Sequence, residues 1–214
     1  MDIFPGWEHH AERIAAAWDR TVAPSDTVVL PGDLSWGMNL SEALEDFLYV
    51  QERPGRKIIL KGNHDYYWTT MKKMTGFLEE HRIDSVSVLH NNSYAAEGVQ
   101  ICGTRGWMPE NADAFNKKII DREAQRLRTS LASAQGKEER IVFLHYPPMD
   151  KEGRPIEPLT DALKEFGVLR CFYGHLHGQS IRTAPEGIRG GIDFKLVSAD
   201  GLGFQPFLIE TGRE

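Results

Sequence analysis

Short aliphatic runs along the chain predict β-strands. In the first half these runs are TVVL (27–30), KIIL (57–60), VSVL (86–89) and VQICG (99–103). In the second half they are IVFL (141–144) and LRCFY (169–173). Each run is short and is bounded by polar or turn-forming residues, a pattern that is typical of buried strands.

Between these strands, apolar residues recur at helical spacing. The pattern predicts helices over residues 8–22, 41–50, 66–81, 112–135 and 159–166. Ser41 is the expected N-cap of the second of these helices. Towards the C-terminus the strand runs are FKLVSA (194–199) and PFLI (206–209). Because strands alternate with helices first and cluster late, the chain is predicted to form a layered α/β fold with mixed sheets.

Length and composition fit one globular domain over residues 1–214, with 41% hydrophobic and 26% charged residues. The sequence has no apolar span of about 18 residues and no signal peptide, so we expect a cytoplasmic protein without a membrane partner. The formal net charge of −6 argues against a nucleic-acid partner. It leaves a phosphate substrate open, because a bound metal ion reverses the local field.

Polar side chains follow several of the predicted strands at the point where each strand ends. These ends carry side chains that bind metals and protons, namely Asp33, Asn63, His64, Asp65, His145, His175 and His177. In open α/β sheets, ligands bind just beyond the carboxyl ends of the strands. We therefore expect these side chains to converge on one place, with neighbouring glycines allowing the tight turns.

The side-chain types at the strand ends indicate the chemistry. Carboxylate, carboxamide and imidazole groups together suit divalent Mn, Fe, Zn or Co. A carboxylate such as Asp33 has two oxygens and can bridge two ions, which in two-metal sites lie roughly 3.5–4 Å apart. His64 is suited to protonating a leaving oxygen or to stabilising charge on a phosphoryl group. Asp65 is expected either to orient His64 or to cap the following helix.

The ordered motifs GD (32–33), GNHD (62–65), an isolated His145 after a strand, and GHLH (174–177) resemble those of the calcineurin-like metallophosphoesterases. The resemblance extends from Thr27 to the C-terminus. It implies a four-layer α/β/β/α sandwich whose site lies at the strand ends between two mixed sheets. It also implies a hydrolase that cleaves phosphate monoesters or diesters with a metal-activated hydroxide at a dinuclear site.

The same resemblance implies a role for each motif residue. It makes Asp33 the bridging ligand, with Asn63, His145 and His175 completing the second metal site. It assigns His177 to the first metal site. It makes His64 the catalytic histidine, with Asp65 as its neighbour in the motif.

One family motif has no counterpart in this sequence. The family begins with a strand that ends in Asp-x-His, and no segment before Asp33 matches it. Three explanations are open: the numbering begins at an internal Met, so that the domain is N-terminally incomplete; the protein has one competent site; or a neighbouring chain supplies the strand. We expect the second site to bind metal well and the first site to be weak or empty.

Arg105, in the motif GTRGW, is the best candidate for an additional substrate contact, since its guanidinium matches phosphate oxygens. The alternative is a solvated surface arginine. A different function is also open, a noncatalytic metal-binding or protein-interaction scaffold on the same fold. The missing Asp-x-His favours the scaffold, whereas the intact His64 favours the enzyme. The sequence does not distinguish protein, nucleotide, cyclic-nucleotide and lipid-linked substrates, and it does not indicate the oligomeric state.

Overall fold

Helices and strands alternate along the chain in a computed structural model that describes residues 5–109 and 114–212. The helices are α1 (His10–Thr21), α2 (Leu40–Gln51), α3 (Met71–Glu80), α4 (Ala114–Ser133) and α5 (Glu157–Glu165), with a 3₁₀ helix at Gly178–Thr183. The strands are β1 (Thr27–Leu30), β2 (Arg56–Ile59), β3 (Val86–Val88), β4 (Tyr94–Ala96), β5 (Val99–Thr104), β6 (Glu139–Leu144), β7 (Arg170–Tyr173), β8 (Gly187–Arg189) and β9 (Ile192–Leu196).

The strands form two sheets. The smaller sheet has the order β1-β2-β3, and both of its pairings are parallel. The larger sheet has the order β4-β5-β6-β7-β9-β8, and it is parallel at its centre and antiparallel at both edges. The expectation of two mixed sheets therefore holds for the larger sheet, whereas the smaller one is wholly parallel.

Three apolar clusters define the layers of the fold. Phe47 of α2 and Met74 of α3 are fully buried against Ile59 on the outer face of the smaller sheet. A second cluster fills the space between the sheets, and a third joins the larger sheet to α4 and α5. Since each sheet is apolar on both faces, helices cover the outside of both. The predicted α/β/β/α sandwich is confirmed.

Several boundaries differ from the sequence prediction. Helix α3 begins at Met71 rather than at residue 66, because Thr70 is its N-cap and accepts a hydrogen bond from the backbone N–H of Lys73. Helix α2 is capped by Asn39 instead of Ser41, and Asn39 accepts from the N–H of Glu42 at 3.1 Å. The predicted helix over residues 112–135 is described only from Ala114, so its first residues lie outside the described ranges.

The C-terminal region differs most from the sequence pattern. The run PFLI is not a strand, and Leu208 within it is 81% exposed. In its place, the hairpin of β8 and β9 completes one edge of the larger sheet. Within the described ranges, no helix combines the length and the apolar character that crossing a bilayer requires.

Candidate active site

Two glycines set the spacing of the loops that follow β1 and β2. Gly32 has a φ angle of +99°, and a Cβ atom there would lie 2.6 Å from the Cα of Gly62. A Cβ atom at Gly62 would lie 2.1 Å from Oδ1 and 2.3 Å from the backbone nitrogen of Asp33. The two loops therefore touch backbone to backbone, and the contact leaves no room for a side chain.

Asp65 ties the same two loops together. Its buried carboxylate accepts hydrogen bonds from the backbone N–H groups of Gly62, Asp33 and Leu34, at 2.6, 2.9 and 2.8 Å. Burial raises the pKa of this carboxyl group, although the backbone N–H groups act in the opposite direction. Asp65 is thus a structural acceptor that fixes where Asp33 lies.

Asp65 has neither of the two roles expected from the sequence. It does not contact the His64 ring, and it does not cap the following helix. The carboxylate of Asp65 faces the backbone, and the hydroxyl of Tyr66 lies 3.0 Å from His64 Nδ1. The indole of Trp36 stacks on the His64 ring with centroids 4.6 Å apart. Tyr66 was missed from the sequence, although its position two residues after His64 is the signal that could have found it.

We predict that Asp65→Asn destabilises the protein by about 2–3 kcal/mol, because its amide NH₂ would face backbone N–H donors that need an acceptor. The free energy of unfolding from urea titration measures this effect. Asp84→Asn, at an exposed turn residue, is the matched control and should change stability by less than about 0.5 kcal/mol. Equal stability of the two variants would contradict the assigned role of Asp65.

Four of the predicted residues meet at the carboxyl ends of β1, β2, β6 and β7. Asn63 Oδ1 lies 2.6 Å from His145 Nε2 and 2.9 Å from His175 Nδ1. Asp33 Oδ2 lies 3.6 Å from His145 Nε2. Asp33 and His175 both adopt left-handed backbone conformations, with φ angles of 60° and 70°. Such strained conformations are concentrated at functional sites.

The contacts of this group place several lone pairs against one another. His145 Nδ1 lies 2.9 Å from the carbonyl oxygen of Pro31, so this nitrogen carries the proton and donates it. His145 Nε2 is then an acceptor, and it faces the acceptor oxygens of Asn63 and Asp33. Acceptors that face one another without a proton between them are the donor set of a cation.

The electrostatics of the two histidines agree with neutral rings. Burial lowers the pKa of His145 even though the Asp33 carboxylate acts to raise it. Burial, and then the charge on His145, lowers the pKa of His175 to about 4. Neither ring gains a second proton near neutral pH, so each ring keeps one nitrogen lone pair that is available to a metal.

The amide of Asn63 is essential to this arrangement. In the part of the chain that the structure describes, no group of three or more His, Cys, Asp or Glu side chains is arranged to hold a metal ion. Asp33, His145 and His175 do not form such a group alone, and the Asn63 oxygen is the atom that links them. The donor types fit a divalent ion, and the fit depends on the carboxamide.

His177 is held in place by residues outside this group. Its Nδ1 donates to Asp200 Oδ1 at 2.7 Å, and the edge of the Trp7 ring packs against it with centroids 5.3 Å apart. Asp200 also accepts from the N–H of Gly178 at 2.8 Å. These two hydrogen bonds lower the pKa of Asp200 although burial acts to raise it. Asp200 was missed, although it directly follows the predicted strand run FKLVSA (194–199), and this position is the signal that could have found it.

Arg105 contacts the four-residue group through its backbone. Its carbonyl oxygen accepts from the N–H groups of His145 and Tyr146, at 3.1 and 2.9 Å. Its guanidinium lies 5.2 Å from the ring of Trp107. A groove of about 2360 Å³ is lined by residues that include Asp33, His145 and His175. These three side chains are therefore open to a substrate from this groove.

Comparison with known proteins identifies one family. The family model described as calcineurin-like phosphoesterase matches residues 2–179. The Gene 66 protein of Mycobacterium phage L5 is 40% identical to this chain over 58 residues. That match covers 27% of this chain and 28% of the phage protein, so it spans a little over a quarter of either.

Two solved structures are similar in architecture. TT1561 of Thermus thermophilus aligns with a TM-score of 0.51 at 13% identity, over 88% of this chain and 83% of that protein. AQ665 of Aquifex aeolicus, a protein of unknown function, aligns with a TM-score of 0.46 at 17% identity, over 95% of this chain and 81% of that protein. The similarity to TT1561 supports the fold.

Proposed function

Because the chain belongs to the calcineurin-like phosphoesterase family, we propose that it hydrolyses phosphate monoesters or diesters with a divalent metal ion held by Asp33, Asn63, His145 and His175. The observation that carries this proposal is the contact between acceptors. Asn63 Oδ1 lies 2.6 Å from the unprotonated Nε2 of His145, and the Asp33 carboxylate lies nearby. A cation satisfies all of these lone pairs at once.

The proposed ion is divalent Mn, Fe, Zn or Co, since imidazole, carboxamide and carboxylate ligands suit these metals. Bound there, the metal supplies Lewis-acid polarisation of the phosphate ester and lowers the pKa of water. The chain contributes the geometry. The Pro31 carbonyl fixes the tautomer of His145, and Asp65 fixes the loop that carries Asp33.

His64 is the proposed general acid. Its backbone N–H donates to Asp33 Oδ1 at 2.8 Å, which places it next to the proposed metal ligands. Tyr66 contacts Nδ1 and Trp36 stacks on the ring, so Nε2 is the nitrogen left to protonate a leaving oxygen. An imidazole placed beside the leaving oxygen acts as a general acid.

His177 and Asp33 are the proposed ligands of a second, weaker metal position. Asp200 holds the His177 ring by its Nδ1, which leaves Nε2 to face a metal. Within the described ranges, no third His, Cys, Asp or Glu completes a group with these two residues. Two side chains hold an ion poorly, so we expect this position to fill only at high metal concentration.

The test of the proposed function is hydrolysis of p-nitrophenyl phosphate and bis(p-nitrophenyl) phosphate with added Mn²⁺. We predict that the metal is required for activity, and that His64→Ala lowers kcat by about 10²–10³-fold while metal content stays the same. His9→Ala, at an exposed histidine, should leave kcat unchanged.

The alternative function is a noncatalytic metal-binding or protein-interaction scaffold on the same fold. It is favoured by the absence, among described residues, of a group of three His, Cys, Asp or Glu side chains. Under this alternative the wild-type protein and His64→Ala bind one Mn²⁺ per chain, and neither hydrolyses the two esters above the rate with free Mn²⁺. That result would remove His64 from a catalytic role.

A further inference from the structure

A second, smaller cavity lies at the carboxyl ends of β2, β3 and β5. Its volume is about 200 Å³. Its lining is mainly basic, and consists of Lys61, Leu89, His90, Thr104, Arg105, Arg122, Glu123 and Arg126. We refer to it as the basic pocket. Among the described residues that line it, Glu123 carries the only carboxylate.

Glu123 is already occupied by other partners. Its side chain is fully buried, and it accepts from Thr104 Oγ1 and from Arg126 Nη1, both at 2.7 Å. These contacts fasten α4 to β5. Glu123 Oε1 also lies 3.9 Å from Arg122 Nε, so the single charge of this carboxylate is shared between Arg126 and Arg122.

Lys61 and Arg105 are the cations that remain. Neither makes a salt bridge within the ranges that the structure describes, and both are half-buried. The Nε atom of Arg105 is shielded from solvent and has no hydrogen-bond partner. Burial lowers the pKa of His90, and the charge of Arg126 lowers it further, as expected where positive charge is in excess. A buried N–H donor and two unpaired cations call for an anion.

The basic pocket adjoins the candidate active site through the backbone. Lys61 lies two residues before Asn63, at the end of β2. The carbonyl oxygen of Arg105 accepts from the N–H of His145 at 3.1 Å. Under the proposed function the ester phosphate lies on the metal ion that Asn63 and His145 hold, so Lys61 and Arg105 connect that site with the basic pocket.

We propose that the basic pocket binds a second phosphate group of the substrate, so that the preferred substrates carry two phosphates. This inference rests on the proposed function for the first phosphate. The guanidinium of Arg105 offers a fork of N–H donors that matches phosphate oxygens, and Lys61 supplies a point charge. The contacts of Glu123 already account for the attachment of α4, so Lys61 and Arg105 are not needed for it.

The first experiment tests the pocket without metal. Inorganic phosphate is titrated into the protein in EDTA at low ionic strength, and its Kd is measured by calorimetry. We expect saturable binding at one site, weakened at least about tenfold in the double variant Lys61→Gln, Arg105→Gln, because charge-assisted hydrogen bonds are lost. Lys72→Gln, at an exposed lysine of α3, should bind phosphate like the wild type.

The second experiment tests the substrate class with Mn²⁺ present. Release of phosphate from fructose 1,6-bisphosphate and from fructose 6-phosphate is compared. We expect the ratio of the two kcat/KM values to favour the bisphosphate, and Arg105→Gln to lower that ratio about tenfold, while Lys72→Gln leaves it unchanged. Thermal unfolding of each variant confirms that the comparison is between folded proteins.

The outcomes separate the two proposals. If phosphate binds the metal-free wild type no better than the double variant, the basic pocket is not an anion site, whether or not esters are hydrolysed. If phosphate binding depends on Lys61 and Arg105 but no ester is hydrolysed, the pocket stands and the proposed function fails. If hydrolysis is observed and the ratio does not respond to Arg105→Gln, the function stands and the second-phosphate assignment is overturned.

Discussion

Asn63→Leu is expected to abolish tight binding of Mn²⁺ and, with it, phosphoesterase activity. The Asn63 oxygen lies within 2.9 Å of nitrogens on both His145 and His175, and it links them in one donor group. Leucine has a similar shape and no donor atom. Even residues that only support metal ligands change affinity about 10–100-fold, so we expect the loss of a ligand to weaken binding by more than about 100-fold.

The measurement is the shift in unfolding temperature with added Mn²⁺. An ion that binds only the folded protein raises this temperature, so the wild type should shift and Asn63→Leu should not. Without metal, the variant should lose no more than the one hydrogen bond that His175 can donate to Asn63, about 1 kcal/mol. Asn39→Ala, which removes the N-cap of α2, is the control that lowers stability and keeps the metal-dependent shift.

An equal Mn²⁺-dependent shift in the wild type and in Asn63→Leu would contradict the proposed centre. In that case the contacts among Asn63, His145 and His175 form a buried polar network and not an ion site. Only an ion site needs the Asn63 oxygen to hold the metal, so the Mn²⁺-dependent shift separates the two descriptions.

The positions of the candidate ligands could be predicted because they depend on local pattern and on sheet geometry. Strand β1 has the predicted bounds, Thr27–Leu30, and Asp33 follows it directly. Parallel strands bring their carboxyl ends to one edge of a sheet, so β1 and β2 bring Asp33 and Asn63 together, and β6 and β7 bring His145 and His175 together. This step needs only the order of motifs and the direction of the strands.

The supporting residues could not be predicted, because their roles depend on contacts between distant segments. The Asp65 carboxylate binds backbone groups of a loop that lies about thirty residues earlier in the chain. Asp200 follows the predicted strand run FKLVSA, but that position does not reveal that its carboxylate accepts from His177, which lies 23 residues earlier in the chain. The sequence pattern predicts which face of a helix or strand a residue occupies. The roles of Asp65 and Asp200 depend instead on the conformations of loops, which the pattern does not predict.

The apolar run PFLI (206–209) is a second case in which the local sequence pattern does not determine the structure. Its residues have strand propensity, but the hairpin of β8 and β9 already occupies the edge of the larger sheet. Phe207 instead contacts Phe172 with ring centroids 6.2 Å apart, and Ile209 packs against the apolar cluster between the two sheets. A segment with strand propensity forms a strand only where a sheet edge is free to pair with it.

Gly62→Ala is the second change with a large expected effect. The new Cβ atom would lie 2.1 Å from Asp33 Oδ1 and 2.3 Å from the Asp33 backbone nitrogen, closer than real atoms approach. The backbone of Asp33 must then move, because no flexible side chain is available to yield. Asp65 binds both loops, so the displacement also strains its hydrogen bonds to Gly62 and Asp33.

We predict that Gly62→Ala lowers the free energy of unfolding by about 2–3 kcal/mol, the upper part of the range for overpacking a buried site. We also predict that it weakens Mn²⁺ binding at least about tenfold, since Asp33 is displaced from His145. The matched control is Gly76→Ala in α3, where a Cβ atom meets nothing within 4 Å. That change should raise stability by about 1 kcal/mol, because alanine favours the helix. If Gly62→Ala kept full metal affinity, the position of Asp33 would not depend on the contact between the two loops.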